Sequence, residues 1–266
     1  MSRIRFQSKQ NGRAMLKGRW MQAIVIMLIL GAMTVGLNLL EDRYRSAFHI
    51  PLLSGQWQYN LSTASLIITG IFSVLTILFT QPLAIGQTEW YWRLSGGDDV
   101  HVGDVFGWFG SFKLYLKSIW LWLNLFVRSL LWAVAICALP YACILTAVLY
   151  FLPRRGQTAD LMAAAFLLVF GCLLMLVAVF LLLYVIMRYF LAPYLLVEDN
   201  SRRVGEIIRH SVRYSKAYRW EIVKFIFSFI PWFLTCYFVL PLLYVWPYFF
   251  SASAVLARHI IYTGRA

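Results

Sequence analysis

A chain of 266 residues that is 61% hydrophobic and 13% charged, with a mean hydropathy of +0.71, is far more apolar than the roughly 45–50% of a soluble domain. A soluble fold would have to bury several apolar runs of about 20 residues with hardly any charged surface left to cover them, which the composition excludes. The formal net charge of +13 falls mostly between the apolar runs, facing a membrane or the cytosol, and no nucleic-acid-binding module accompanies it.

Crossing about 30 Å of hydrocarbon takes about 20 apolar residues, and the chain offers such runs at about 20–40, 64–88, 118–152, 161–187, 219–240 and 242–262. The first follows a basic arm, residues 1–19, with Arg3, Arg5, Lys9, Arg13, Lys17 and Arg19. It is longer than a signal-peptide core and no small-residue cleavage site follows, so it reads as a retained span. The third run is long for one crossing and contains Pro140. The last two form one apolar stretch, divided at "LPLLYVWP" because Pro241 and Pro247 favour a turn there; five spans are the alternative.

Lysine and arginine set the orientation. They crowd the N-terminal arm, the segment 89–117 (Arg93, Lys113, Lys117) and the segment 198–224, whereas the opposite side has only Arg43, Arg45, Arg154 and Arg155. Both termini are therefore expected in the cytoplasm.

The arm is also the first copy of a pattern. "RAMLKGRW" sets Arg13, Lys17 and Trp20 ahead of span one, "KLYLKSIW" sets Lys113, Lys117 and Trp120 ahead of span three, and "RYSKAYRW" sets Arg213, Lys216 and Trp220 ahead of span five with the spacing shifted by one. Each copy precedes a pair of apolar runs, which predicts three units of basic segment, span in and span out.

Two stretches read as amphipathic. Over 201–217, Val204, Ile207, Ile208, Ser211 and Val212 fall on one helical face and Arg202, Glu206, Arg209, Arg213 and Lys216 on the other, with Asp199, Asn200 or Ser201 able to cap the start. Such a helix suits a cytoplasmic interface, either as a topology-setting surface or as a reader of anionic headgroups. Over 104–117, Val105, Trp108, Phe109, Phe112 and Leu116 make an apolar face opposite Lys113 and Lys117.

Candidate chemistry is sparse. "GGDDVHVGD" gathers Asp98, Asp99, His101 and Asp104, which could hold a divalent metal for phosphate chemistry, but its glycines make it a loop and Asp104 suits a helix N-cap. The other histidines, His49, His210 and His259, are scattered, the four cysteines lie inside apolar runs, and no hydrolase, zinc-protease or phosphate-loop motif occurs. No catalytic residue, metal or cofactor is expected. Arg128 is the sharper anomaly: if span three begins near Trp120 it lies about 12 Å along the helix, where it needs a carboxylate such as Glu89 or Glu221, a carbonyl or water. With the span at about 129–152 it snorkels to the inner headgroups, as Arg188 does at the inner end of span four. Gln81-Pro82 in span two and Pro140 in span three are either kinks whose freed carbonyls line a cavity or, the favoured reading, ordinary prolines of membrane helices.

"RAMLKGRW", "DVFGWFGSFK", and the run from "YLLVEDN" through "IIRHSVRYSKAYRWEIVKFIFSFIPW" to "VWPYFFSASA" together resemble the bacterial membrane family known as domain of unknown function 975, over nearly the whole chain. More distantly the layout is similar to the membrane domain of some glycerophosphodiester phosphodiesterases. The resemblance implies a multi-pass protein of the bacterial cell membrane, commonly in Gram-positive organisms, with no defined catalytic residues to carry over. Where a Pro-Gly pair is expected in the third span, this chain has Pro140 followed by Tyr141.

The expectation is a single all-α bundle of six membrane helices, five being possible, arranged as three hairpins with interfacial helices on the cytoplasmic side. The leading functional expectation is a non-enzymatic protein that organises or senses the membrane, or serves a protein partner as membrane subunit. Its contacts with anionic phospholipids fall to Arg128, Arg188, Arg209, Arg213, Lys216, Lys113 and Lys117. The alternatives are a transporter or lipid-handling protein with a cavity around Arg128, an immunity protein against membrane-active peptides, and a lipid enzyme using Asp98, Asp99 and Asp104.

Overall fold

The structure is a computed structural model that describes residues 2–47, 63–151, 158–237 and 239–265. Among these the chain is all α, with no strand. Its helices are α1 (Ser2–Met15), α2 (Trp20–Ala47), α3 (Thr63–Gly96), α4 (Phe112–Thr146), α5 (Thr158–Ile186), α6 (Ala192–Glu198), α7 (Val204–Ser215), α8 (Arg219–Phe227), α9 (Ile230–Thr235) and α10 (Val239–Arg265). The expected outward loop with Arg154 and Arg155, and His49, lie outside the described residues.

Five helical stretches are long and apolar enough to cross a membrane, and they belong to α2, α3, α4, α5 and α10. They match five of the six expected runs. In hydrocarbon a backbone must satisfy its own hydrogen bonds, which a helix does, and polar side chains inside the spans follow suit. Thr34, Thr80 and Thr88 each donate to the carbonyl four residues back, at 2.9, 2.6 and 2.9 Å.

The expectation of one continuous crossing over 219–240 is corrected. Two short helices, α8 and α9, occupy it, broken at Ser228 and Phe229. Pro231 in the first turn of α9 has no N–H to give the preceding turn, so the helix stops and restarts there. The amphipathic reading of 104–117 is corrected too. A 3-10 turn covers Val102–Phe109 and α4 begins at Phe112 after a break, so Val105 and Trp108 are buried while Phe112 and Leu116 are 78% and 54% exposed.

The chain divides into two compact units. The first comprises Met1–Trp122, Pro193–Val204 and Phe229–Ala266, and α10 is its centre: 44% of its apolar window is buried, against 11% for each other span. Its run Ser251-Ala252-Ser253-Ala254 is buried, and side chains this small let α1, α2 and α3 approach closely. Trp90 and Tyr91 of α3 fill the space between, with Tyr91 stacked on Phe250.

The second unit comprises Leu123–Ala192 and Gly205–Ser228. Here α4 passes α5 at Gly171, beside Ile144 and Cys143, and a π-helical turn, Ala147–Phe151, continues α4 along α5. The helix α7 buries Ile207, Ile208, Ser211 and Ser215 and leaves Arg209, Arg213 and Lys216 exposed, the division its sequence periodicity predicts.

Candidate functional site: a basic corner in the first unit

One end of the first unit gathers the start of α2, the ends of α3, α6 and α10, and the beginning of α4. Arginines tie these ends together. Arg19, just ahead of α2, donates to the Val100 carbonyl at 3.0 Å and pairs with the Asp99 carboxylate. Arg258 of α10 donates to the Trp92 carbonyl at 2.6 Å and to Ser95 Oγ at 2.9 Å, Arg265 pairs with Glu198, and Lys117 donates to the Asn200 carbonyl.

Next to the Arg19 clamp, "RAMLKGRW" folds as a corner. After α1 the chain turns through Gly18, whose φ of +82° a side chain would strain, and enters α2 at Trp20. The buried Leu16 anchors the turn, and Trp20 stacks on Tyr244 with ring centroids 4.9 Å apart. The corner borders an open groove of about 450 Å³ lined by Gln10, Arg13, Ala14, Lys17 and Trp20. Arg13, in the last turn of α1, and Lys17, in the turn after it, are four residues apart, and no carboxylate is among the described residues that line the groove. A groove with two cations, an amide and an indole can hold an anion against an aromatic edge; its volume falls within the range of ligand pockets.

The residues expected to bind or ligate fall as follows. Asp99 is taken by Arg19, whose hydrogen bond, then charge, holds its carboxyl below the usual carboxylate range. Asp104 accepts from the His101 backbone N–H at 3.1 Å and lies 3.3 Å from Arg93; it stands at the third position of the 3-10 turn rather than at its cap, which corrects that expectation. Among the described residues no group of three or more His, Cys, Asp or Glu is placed to hold a metal, so Asp98, Asp99 and Asp104 are not brought together as a ligand set. Asp199 does not cap α7. It accepts from the Ser201 hydroxyl and N–H and from Arg202, and the Ser201 bonds lower its pKa most.

Lys113 is exposed and Lys117 is engaged as described. In the second unit Arg128 is exposed on α4 with no ion-pair partner among the described residues, and Arg188 lies over the Trp132 ring at 5.0 Å. The carboxylates considered for Arg128 are engaged elsewhere: Glu89 accepts from Trp108 Nε1 at 2.5 Å, and Glu221 is buried 3.7 Å from Lys224. The sequence sets Arg13, Lys17 and Trp20 in one motif but does not show that they line a groove together with Gln10. The signal was the i, i+4 spacing of the two cations before a glycine. The clamps Arg258 and Arg265 had no local signal, because their partners are remote in sequence.

No curated protein and no solved structure is matched by the chain. One family matches residues 1–262, almost the entire length, and by that match the chain belongs to the family described as Protein of unknown function (DUF975).

Proposed function

We propose that this is a non-enzymatic membrane protein whose basic end faces the cytoplasm and holds anionic lipid headgroups, and that through this contact it organises or senses its bilayer or serves a partner as membrane subunit. The observation that carries the reading is the corner groove, where Arg13 and Lys17 converge beside Trp20 with no carboxylate among the lining residues. At an anionic leaflet each well-placed cation contributes about 1 kcal/mol, so the pair favours an anionic over a neutral headgroup by roughly thirtyfold. Tryptophan is at home at the headgroup level, and the cations along this end fit the positive-inside rule. The exposed Arg209, Arg213 and Lys216 of α7 add a second basic surface.

The test is native mass spectrometry of the full chain from phosphatidylcholine nanodiscs with and without phosphatidylglycerol. Wild type should retain the anionic lipid preferentially, and Arg13→Gln with Lys17→Gln should lower that retention. Equal retention of both lipids by wild type would overturn the reading.

A further inference from the structure

In the second unit two arginines sit on aromatic platforms that are neighbours on one stretch of chain. The Arg188 guanidinium lies 5.0 Å from the Trp132 ring of α4, and that of Arg219, at the start of α8, lies 5.9 Å from the Tyr184 ring of α5. Tyr184 and Arg188 are one helical turn apart, so both guanidinium groups are held at the same end of α5. Each has a buried Nε without a hydrogen-bond partner among the described residues. An arginine cannot shed its charge, and both side chains are half-buried without an ion-pair partner among the described residues, so the remaining N–H donors of each guanidinium are open to an acceptor.

The chain invests in this placement. Ser211 and Ser215, both fully buried on α7, donate their hydroxyls to one acceptor, the Arg188 carbonyl, at 2.8 and 3.2 Å, and so fix the 3-10 turn that carries Arg188. Arg128, exposed on α4 four residues before Trp132, is a third cation on this stretch of helix. The nearest carboxylate in sequence, Glu221, already has Lys224 at 3.7 Å.

We infer that Arg188 and Arg219, assisted by Arg128, form a discrete binding site for the phosphate of an anionic phospholipid. Planar guanidinium groups offer paired N–H donors to phosphate oxygens, and resting on aromatic faces keeps them oriented. The ligand is a lipid rather than a free anion because the wall leading away from Arg188 is α5, the most apolar of the spans, with a mean hydropathy of 3.2 and with Val177, Phe180 and Leu181 exposed along it. Acyl chains lie on that wall while the phosphate meets the arginines. The site belongs to the second unit and stands independently of the corner groove.

The full chain is placed in phosphatidylcholine nanodiscs with a small fraction of phosphatidylglycerol, and lipid retention is read by native mass spectrometry. In addition to the lipid held at the corner groove, we expect one anionic lipid per chain at this site, retained at least tenfold less by Arg188→Gln and by Arg219→Gln and unchanged in the Arg209→Gln, Arg213→Gln pair. Arg188→Lys, which preserves the charge and guards against misfolding, should lose part of the retention, because an ammonium lacks the planar fork. Arg13→Gln with Lys17→Gln should leave this lipid in place, which separates failure of this site from failure of the corner. Retention unchanged in both Arg188→Gln and Arg219→Gln, or lost equally in the α7 pair, would overturn the site. Release of the lipid by millimolar inorganic phosphate that then binds in its place would overturn the lipid as its ligand.

Discussion

The Arg258 guanidinium lies 4.5 Å over the Trp92 ring and at the same time donates to the Trp92 backbone carbonyl at 2.6 Å. A third contact, Nε to Ser95 Oγ at 2.9 Å, completes a fastening of α10 to the end of α3. Charged hydrogen bonds of this kind are worth about 1.5–3 kcal/mol, and the ring contact adds about 0.5–1. Arg258→Ala is therefore expected to destabilise the protein by about 2–3 kcal/mol in a denaturant titration in detergent. Arg258→Lys should recover part of that, because it restores the charge without the fork.

A second prediction concerns close packing. A Cβ placed on Gly86 of α3 would lie 2.0 Å from the Val105 carbonyl oxygen, which is backbone and cannot swing aside. Gly86→Ala must push the 3-10 turn off α3 and should cost about 3 kcal/mol, the upper end for overpacking. Gly103→Ala in the same turn meets nothing within 4 Å and serves as the near-neutral control in the same thermal unfolding assay.

The Arg19–Asp99 pair predicts a pH response. Because its folded pKa is depressed below the ordinary 3.8, chiefly by the Arg19 hydrogen bond, the clamp is fully present above that value and is lost as pH falls through the folded pKa. Hydrogen exchange of the amides of 97–104, corrected for intrinsic rates, should be unchanged from pH 7 to pH 5 and accelerate below pH ~3.8. In Asp99→Asn this acceleration should vanish, the loop being looser throughout.

Ser211 and Ser215 share one acceptor, so their contributions are not additive. Either single alanine should cost little, since the remaining hydroxyl still serves the Arg188 carbonyl. The double alanine orphans that carbonyl and should cost about 1–3 kcal/mol more than the sum of the singles in a double-mutant cycle.

Much of the fold is legible in the sequence because length and apolarity, on which a membrane span depends, are properties of composition. That is why α2, α3, α4, α5 and α10 fall on expected runs. Continuity is not a property of composition, so the run through Pro231 reads as one crossing although its backbone is interrupted. The same holds for "DVFGWFGSFK", where the chain breaks at Gly110 and Ser111 a pattern that side-chain periodicity alone would continue.

The repeat is instructive in the same way. Its first and third copies fold as helix, turn and helix, with α1 leading into α2 and α7 into α8, while the middle copy lies wholly inside α4. Where the first copy has Gly18, the middle one has Ser118, buried and donating to the Tyr115 carbonyl at 2.7 Å, which suits an unbroken helix. As for the sites, the charges of Arg13, Lys17, Arg128 and Arg188 stand out along the chain. The groove does not, because it depends on the turn at Gly18 that sets Gln10 and Trp20 beside the two cations, and the aromatic platforms do not, because Trp132 and Tyr184 meet Arg188 and Arg219 from remote parts of the chain.

The central helix of the first unit, α10, begins more than 140 residues after α3 ends. At about 5–20 residues per second a ribosome takes on the order of ten seconds to make what lies between. Throughout that interval α1, α2 and α3 have left the exit tunnel without the Ser-Ala stripe they pack on, and Trp92 waits for Arg258. Assembly of this unit is therefore delayed by the order of synthesis, and its nascent first helices must be tolerated by the insertion machinery or by lipid until α10 arrives.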